Sequence, residues 1–320
     1  MLHPETRALL DLIAERGLPA THLLSPAEAR QAYRERGRLT QPEAPEMAQV
    51  LMLQAEGPHG AIPLRLYRPL AVPARRTGDT DALPALLYFH GGGWVIGDLE
   101  THDTLCRELA HGAGCAVIAV DYRMGPESRF PAAVDDCVAA TRWVQAHAAS
   151  LGLLPGRIAV GGDSAGGNLA AVVAIALRDS GAAAPLRMQL LIYPATDMRR
   201  TAPSHQVNGA GYLLTRETMA YFHRHYIADP ATDDLDWRAS PLLHPDLTRL
   251  PPALVLTAGF DPLRDEGLAY AERLSAAGNR CSSVCFERQI HGFILMGKVL
   301  DEARTAVALC AAEMRRLLAD

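Results

Sequence analysis

The segments Ala116–Val120 (AVIAV) and 253–257 (ALVLT) are apolar at all but one position, so apolar side chains fall on both sides of any strand they form. Such a strand must be covered above and below, the condition met when helices flank a parallel sheet. Short β-branched or apolar runs, some of them mixed with polar residues, mark further candidate strands at 50–54, 64–68, 85–89, 157–160, 189–193 and 282–287. Stretches at 101–113, 132–149, 165–180, 263–277 and 299–318 carry apolar residues at helical spacing. The expected fold class is α/β, a mostly parallel eight-stranded sheet with helices on both faces.

Two segments break the alternation. Residues 1–48 read as two helices broken near Pro19 and Pro26, the second ending before Pro42 and Pro45. Residues 197–247 are a longer connection than compact domains ordinarily use, and they contain a helical stretch at 216–227. Both segments are expected to pack together as a helical cap over the C-terminal edge of the sheet, where open α/β sheets place ligands. The catalytic core is then 49–196 with 248–320, and the Pro/Arg/Gly/Asp-rich stretch 72–82 is an exposed loop.

Charge and cysteine content remove several function classes. Lys+Arg number 31 against 36 Asp+Glu, a net charge of −5, so nucleic acid is not an expected partner. The longest apolar run, 169–177, falls far short of the ~20 residues of a membrane-spanning helix. Glu5, Arg7, Asp11, Glu15 and Arg16 interrupt any secretion-signal core. The six cysteines are scattered, with no CxxC pair or histidine cluster, so no metal is expected. Cys281 and Cys285 on one strand would sit ~13 Å apart, beyond the ~7 Å reach of a disulfide. Reduced thiols in a cytoplasmic protein are the expectation.

Gly162-Asp163-Ser164-Ala165-Gly166 lies where a predicted strand turns into a predicted helix. A turn that tight leaves no room for side chains two residues either side of the serine, and it exposes the hydroxyl as a nucleophile. Chance produces G-x-S-x-G in roughly one such chain in fifteen, and the serine could equally be a helix cap. His90-Gly91-Gly92-Gly93-Trp94 follows the strand at 85–89. Its glycines can turn N–H groups toward a developing oxyanion, joined by the N–H of Ala165 after the nucleophile. The loop lacks Gly-Lys-Ser/Thr and does not fit G-x-G-x-x-G, which makes a phosphate cradle the weaker reading.

A serine nucleophile needs a base and an acid, brought close by folding rather than by spacing. Asp261 follows the strand at 253–257 and precedes Pro262, a place that suits a catalytic carboxylate and a helix N-cap alike. Asp265 lies about one helical turn (~6 Å) farther along and is the weaker choice. Of the twelve histidines, His291 alone both follows a strand and comes after that acid, in the order Ser…Asp…His. His90 is expected to prop the glycine loop. His223 and His225, two apart on a helix, face different directions and cannot share a metal.

HGGGW, DYRMGPESRFPAA, GDSAGGNLA, DPLRDEG and HGF together resemble the hormone-sensitive-lipase-like group of α/β-hydrolases, the bacterial family IV carboxylesterases, over about residues 83–293. The resemblance implies an α/β-hydrolase fold with N-terminal helices in the cap, a serine carboxylesterase without cofactor, short- to medium-chain ester substrates and, often, a homodimer. It also places catalytic roles on Ser164, Asp261 and His291, and oxyanion-hole donors on Gly92, Gly93 and Ala165. YRMGPE stands where the group usually has YRLAPE, so Gly125 is expected to loosen that loop. The expected chemistry is two-step acyl transfer through an acyl-enzyme. An amidase or lactonase would use the same residues, whereas a small-molecule receptor of the same fold would lack a working histidine. Tyr193, Tyr212, Leu213, Leu214 and Phe222 either line an acyl or alcohol pocket or simply pack within the cap.

Overall fold

The computed structural model describes residues 1–70, 82–181 and 184–319. The loop read at 72–82 therefore lies outside the described residues, apart from Ala82. One sheet is formed by β1 (Met47–Gly57), β2 (Gly60–Pro69), β3 (Leu83–Phe89), β4 (Ala116–Val120), β5 (Leu153–Asp163), β6 (Gln189–Ile192), β7 (Ala253–Phe260) and β8 (Cys281–Ile290). The spatial order is β1-β2-β4-β3-β5-β6-β7-β8. From β4 to β8 every neighbouring pair is parallel, and β2 runs antiparallel to both β1 and β4. The helices are α1 (Pro4–Glu15), α2 (Pro26–Thr40), α3 (Asp103–Ala113), α4 (Ala132–His147), α5 (Ala165–Ser180), α6 (Ser204–Val207), α7 (Arg216–Tyr226), α8 (Pro230–Asp233), α9 (Arg264–Ala276) and α10 (Asp301–Leu318).

Residues of β3 divide between the two faces with the period of two that a strand imposes. Ala85, Leu87 and Phe89 pack with Val134 of α4 and Leu169 and Val173 of α5. Leu86 and Tyr88 pack on the other side with Leu105 and Leu109 of α3 and Met314 of α10. Each fully buried leucine contributes roughly 2 kcal/mol relative to an exposed one, which explains why the sheet's centre reads as unbroken apolar runs. β1 is different. It is exposed along most of its length, and its hairpin with β2, closed by the Gly57–Gly60 pair, extends it well past the predicted 50–54.

The N-terminal helices dock in different places. α1 rests on the core: the His3 N–H donates to the Arg288 carbonyl (3.0 Å), and the Thr6 hydroxyl to Gln289 Oε1 (2.8 Å). α2 meets the insertion instead. It opens on a capping box, in which Ser25 Oγ accepts the Glu28 N–H (3.3 Å) and the Glu28 carboxylate accepts the Ser25 N–H (2.8 Å). Its Ala29 and Tyr33 then pack with Val95, Ile96 and, from α7, Tyr221 and Phe222. Gly125 does not loosen its loop. A Cβ there would stand 2.3 Å from the His225 carbonyl oxygen, so the glycine lets the end of α7 close onto this loop.

Candidate active site

Three parallel strands deliver three side chains to one edge of the sheet: Ser164 directly follows β5, Asp261 directly follows β7 and His291 directly follows β8. Ser164 sits alone at the corner between β5 and α5 with φ +55° and ψ −116°. A non-glycine residue there costs on the order of 1–3 kcal/mol and persists only when its surroundings over-determine it. Here the Ser164 N–H donates to the Ile192 carbonyl (2.8 Å), and its carbonyl accepts the N–H groups of Asn168 (3.1 Å) and Ala195 (3.2 Å). Gly166 permits the corner, because a Cβ on it would fall 1.8 Å from the Phe89 carbonyl oxygen. The serine hydroxyl makes no capping bond to α5. It lies 3.0 Å from His291 Nε2 instead, which removes the helix-cap reading.

His291 Nδ1 is 2.7 Å from Asp261 Oδ2, and the carboxylate is fully buried. With Nδ1–H donating to that carboxylate, Nε2 presents a lone pair to the serine O–H. Asp261 also keeps its structural duty, since Oδ1 accepts the Leu263 N–H (2.8 Å). The insertion braces Asp261: Asn208 Nδ2 donates to the carbonyls of Gly259 and Asp261 (both 3.1 Å). Asp265 points elsewhere, accepting from the Ser204 N–H (2.9 Å) and Arg264 Nε (2.7 Å).

The glycine loop after β3 adopts backbone open to few residues, with φ +119° at Gly92 and +59° at Gly93. The N–H groups of Gly92, Gly93 and Ala165 have no acceptor among the described turns, loops and side chains. The Gly91 N–H, in contrast, is tied to Asp163 Oδ1 (2.9 Å), which also accepts the Tyr88 hydroxyl (2.8 Å) and faces His102 Nε2 at 3.2 Å. Burial pushes the Asp163 carboxyl up, but His102 and the Tyr88 hydrogen bond outweigh it and hold the group below its ordinary value. This buried lock joins the Ser164 corner to the glycine loop. Sequence reasoning missed it, because the second position of G-x-S-x-G carries no pattern of its own.

His90 props the loop as expected, with Nδ1 2.9 Å from the Gly91 carbonyl oxygen and its ring stacked on Tyr122. Burial, reinforced by His102, pushes its pKa from 6.5 down to about 4. Between those values the unfolded chain binds a proton that the folded chain does not, so stability falls on acidification, by up to roughly 3 kcal/mol. Urea midpoints at pH 7 and 4.5 should separate further in the native protein than in His90→Gln. Equal separations would contradict this account.

A cavity of about 150 Å³ opens onto Ser164, His291, Gly92 and Gly93. Its remaining walls include Leu213, Leu214, Met219 and Phe222 from the insertion and Tyr33 and Gly37 from α2. Of the five residues considered for such a pocket, three line it. Tyr193 lies under the His291 ring (4.6 Å between centroids), and Tyr212 packs on Phe260 (5.1 Å). A Cβ on Gly93 would stand 2.2 Å from the Phe222 ring. Gly93→Ala should therefore displace both the ring and the loop's N–H, lowering kcat about 10²-fold, and a loss under threefold would show that this N–H faces nothing of consequence.

Among the described residues no group of three His, Cys, Asp or Glu side chains is placed to hold a metal ion. His223 pairs with Asp234 (2.7 Å) and His225 with the Tyr221 carbonyl (2.8 Å). No disulfide joins any of the six cysteines, all of which lie among the described residues. No helix among the described residues is long and apolar enough to cross a membrane.

A profile described as the alpha/beta hydrolase fold matches residues 86–295. The chain is 46% identical over 247 residues to the carboxylic ester hydrolase LipN of Mycobacterium tuberculosis, spanning 76% of this chain and 63% of that protein. It is 40% identical to the ethyl acetate hydrolase of Pseudomonas putida over 99% of both chains. Among solved structures, an ester-hydrolase from the metagenome of Lake Arreo, complexed with a derivative of bipyridine phosphonate, superposes with a TM-score of 0.93. The two are 46% identical over 99% of each chain.

Proposed function

The chain belongs to the α/β-hydrolase fold family, in its hormone-sensitive-lipase-like group, and on that premise we propose that it hydrolyses short- to medium-chain carboxylic esters through Ser164, His291 and Asp261. The observation that carries the reading is the hydrogen-bonded line from the Ser164 hydroxyl through His291 to the buried Asp261 carboxylate, with steps of 3.0 and 2.7 Å. Within residues 1–48 it is α2 that joins the insertion 197–247 as the cap enclosing the substrate, while α1 stays docked on β8.

His291 Nε2 takes the proton from Ser164 as Oγ attacks the ester carbonyl, and Asp261 stabilises the imidazolium that results. The carbonyl oxygen, now negative, is met by the N–H groups of Gly92, Gly93 and Ala165, each worth about 3 kcal/mol in such a site. His291 then protonates the departing alkoxide. Water attacks the acyl-enzyme with its proton passing to His291, and Ser164 recovers that proton as the carboxylic acid leaves. A fluorophosphonate probe should label Ser164, and a 4-nitrophenyl ester should turn over faster than its matched anilide or lactone. Absence of labelling would indicate a receptor, and a faster anilide an amidase.

A further inference from the structure

Two arginines line the cavity that holds Ser164 and His291, and neither Arg36 nor Arg200 has a carboxylate partner among the described residues. Three arginines close to them in sequence are paired. Arg30 binds Glu127 (2.6 Å), Arg34 binds Asp98 (2.5 Å), and Arg199 binds Asp197 (2.8 Å). Arg36 shares its face of α2 with Tyr33, Gly37 and Thr40, which also line the cavity at the spacing of one helical stripe. Its guanidinium lies 5.4 Å from the centroid of the Tyr33 ring, a contact that leaves its five N–H donors unspent. Burial pushes this guanidinium below its ordinary value, and the only charge-bearing neighbour that offsets the effect is Tyr33.

Arg200 is half-buried on the insertion's side of the same cavity. Its φ of +54° lies where long side chains rarely go, and a turn holds it there, with its N–H donating to the Asp197 carbonyl (3.2 Å). The one carboxylate in the cavity wall, Asp163, is consumed by Tyr88, Gly91 and His102. The wall thus offers two guanidinium groups among apolar side chains and no free negative charge. Guanidinium matches a carboxylate through paired N–H donors, and the match strengthens where water is scarce.

We propose that the preferred substrates of this site are esters that carry a carboxylate away from the scissile bond, bound by Arg36 and Arg200. The inference rests on the esterase reading above. The carboxylate can sit on the acyl half, as in a monoester of a dicarboxylic acid, or on the alcohol half, as in an acylated hydroxy acid.

Two substrate pairs of matched length distinguish these sources: mono-4-nitrophenyl glutarate against 4-nitrophenyl pentanoate, and 4-acetoxybutanoate against pentyl acetate. The anionic member of at least one pair is expected to have the higher kcat/KM by about tenfold, and the pair that shows it identifies the half that carries the charge. In Arg36→Gln and in Arg200→Gln that ratio should fall about tenfold, with Arg36→Lys restoring part of it. Because each ratio is taken within one protein, a partly misfolded variant does not disturb it. Faster hydrolysis of the neutral ester in both pairs, or a ratio unmoved by both glutamine variants, overturns the carboxylate preference and leaves the esterase standing. Failure to hydrolyse any of the four overturns the esterase reading itself.

Discussion

Ser164→Ala is expected to lower kcat/KM for 4-nitrophenyl butyrate about 10⁴-fold or more while leaving the fold intact. The substitution removes one oxygen whose sole side-chain partner among the described residues is His291 Nε2, so no other hydrogen bond among them is broken. Backbone strain at the corner is unchanged, because alanine meets φ +55° under the same restraint from Ile192, Asn168 and Ala195. The stability change should accordingly stay within about 1 kcal/mol. A second mark separates loss of the nucleophile from loss of the site. Residues that act as one unit are non-additive, so Ser164→Ala combined with His291→Ala should be barely worse than Ser164→Ala alone. Residual turnover in both would come from the unspent N–H groups of the glycine loop and Ala165. A loss smaller than tenfold in the single variant, with fluorophosphonate still attached to the protein, would place the nucleophile elsewhere.

How far the site could be read from sequence follows from where its parts lie. Ser164, Asp261 and His291 each stand at the first position after a parallel strand, and parallel strands end at a common edge. Recognising β5, β7 and β8 as strands of one parallel sheet is therefore enough to bring residues 127 apart, as Ser164 and His291 are, to within hydrogen-bond distance. The glycines at 162 and 166 marked the corner because only residues without a Cβ clear the end of β3.

Other features left no periodic trace. The Asp163 lock depends on Tyr88, 75 residues away, presenting its hydroxyl from the face of β3 opposite Phe89. Helical spacing in α2 groups Tyr33, Arg36, Gly37 and Thr40 on one stripe, but nothing in that spacing says that the stripe faces a cavity rather than solvent. α1, richer in leucine than the arginine-rich α2, docks on β8 through backbone and hydroxyl hydrogen bonds that residue types alone do not announce. β1 runs beyond 50–54 because an exposed edge strand needs no apolar run, and its length comes from pairing with β2.

Asp261→Asn should be nearly as damaging as loss of the nucleophile, and for a reason that can be traced atom by atom. Oδ1 of the native carboxylate accepts the Leu263 N–H, while Oδ2 faces His291 Nδ1. An asparagine must keep its carbonyl oxygen on the Leu263 side, because its amide nitrogen would meet a donor there. The NH2 group then faces His291 and donates to Nδ1, so the ring carries its proton on Nε2 and points a hydrogen, not a lone pair, at Ser164. The base is present, well placed and in the wrong tautomer. A fall in kcat of roughly 10⁴-fold with KM little changed is the expected result. Asp265→Asn provides the control: its carboxylate serves Ser204 and Arg264 instead, so its kcat should change less than threefold. Equal losses in the two variants, or a loss below tenfold for Asp261→Asn, would mean that His291 takes its orientation from some group other than this carboxylate.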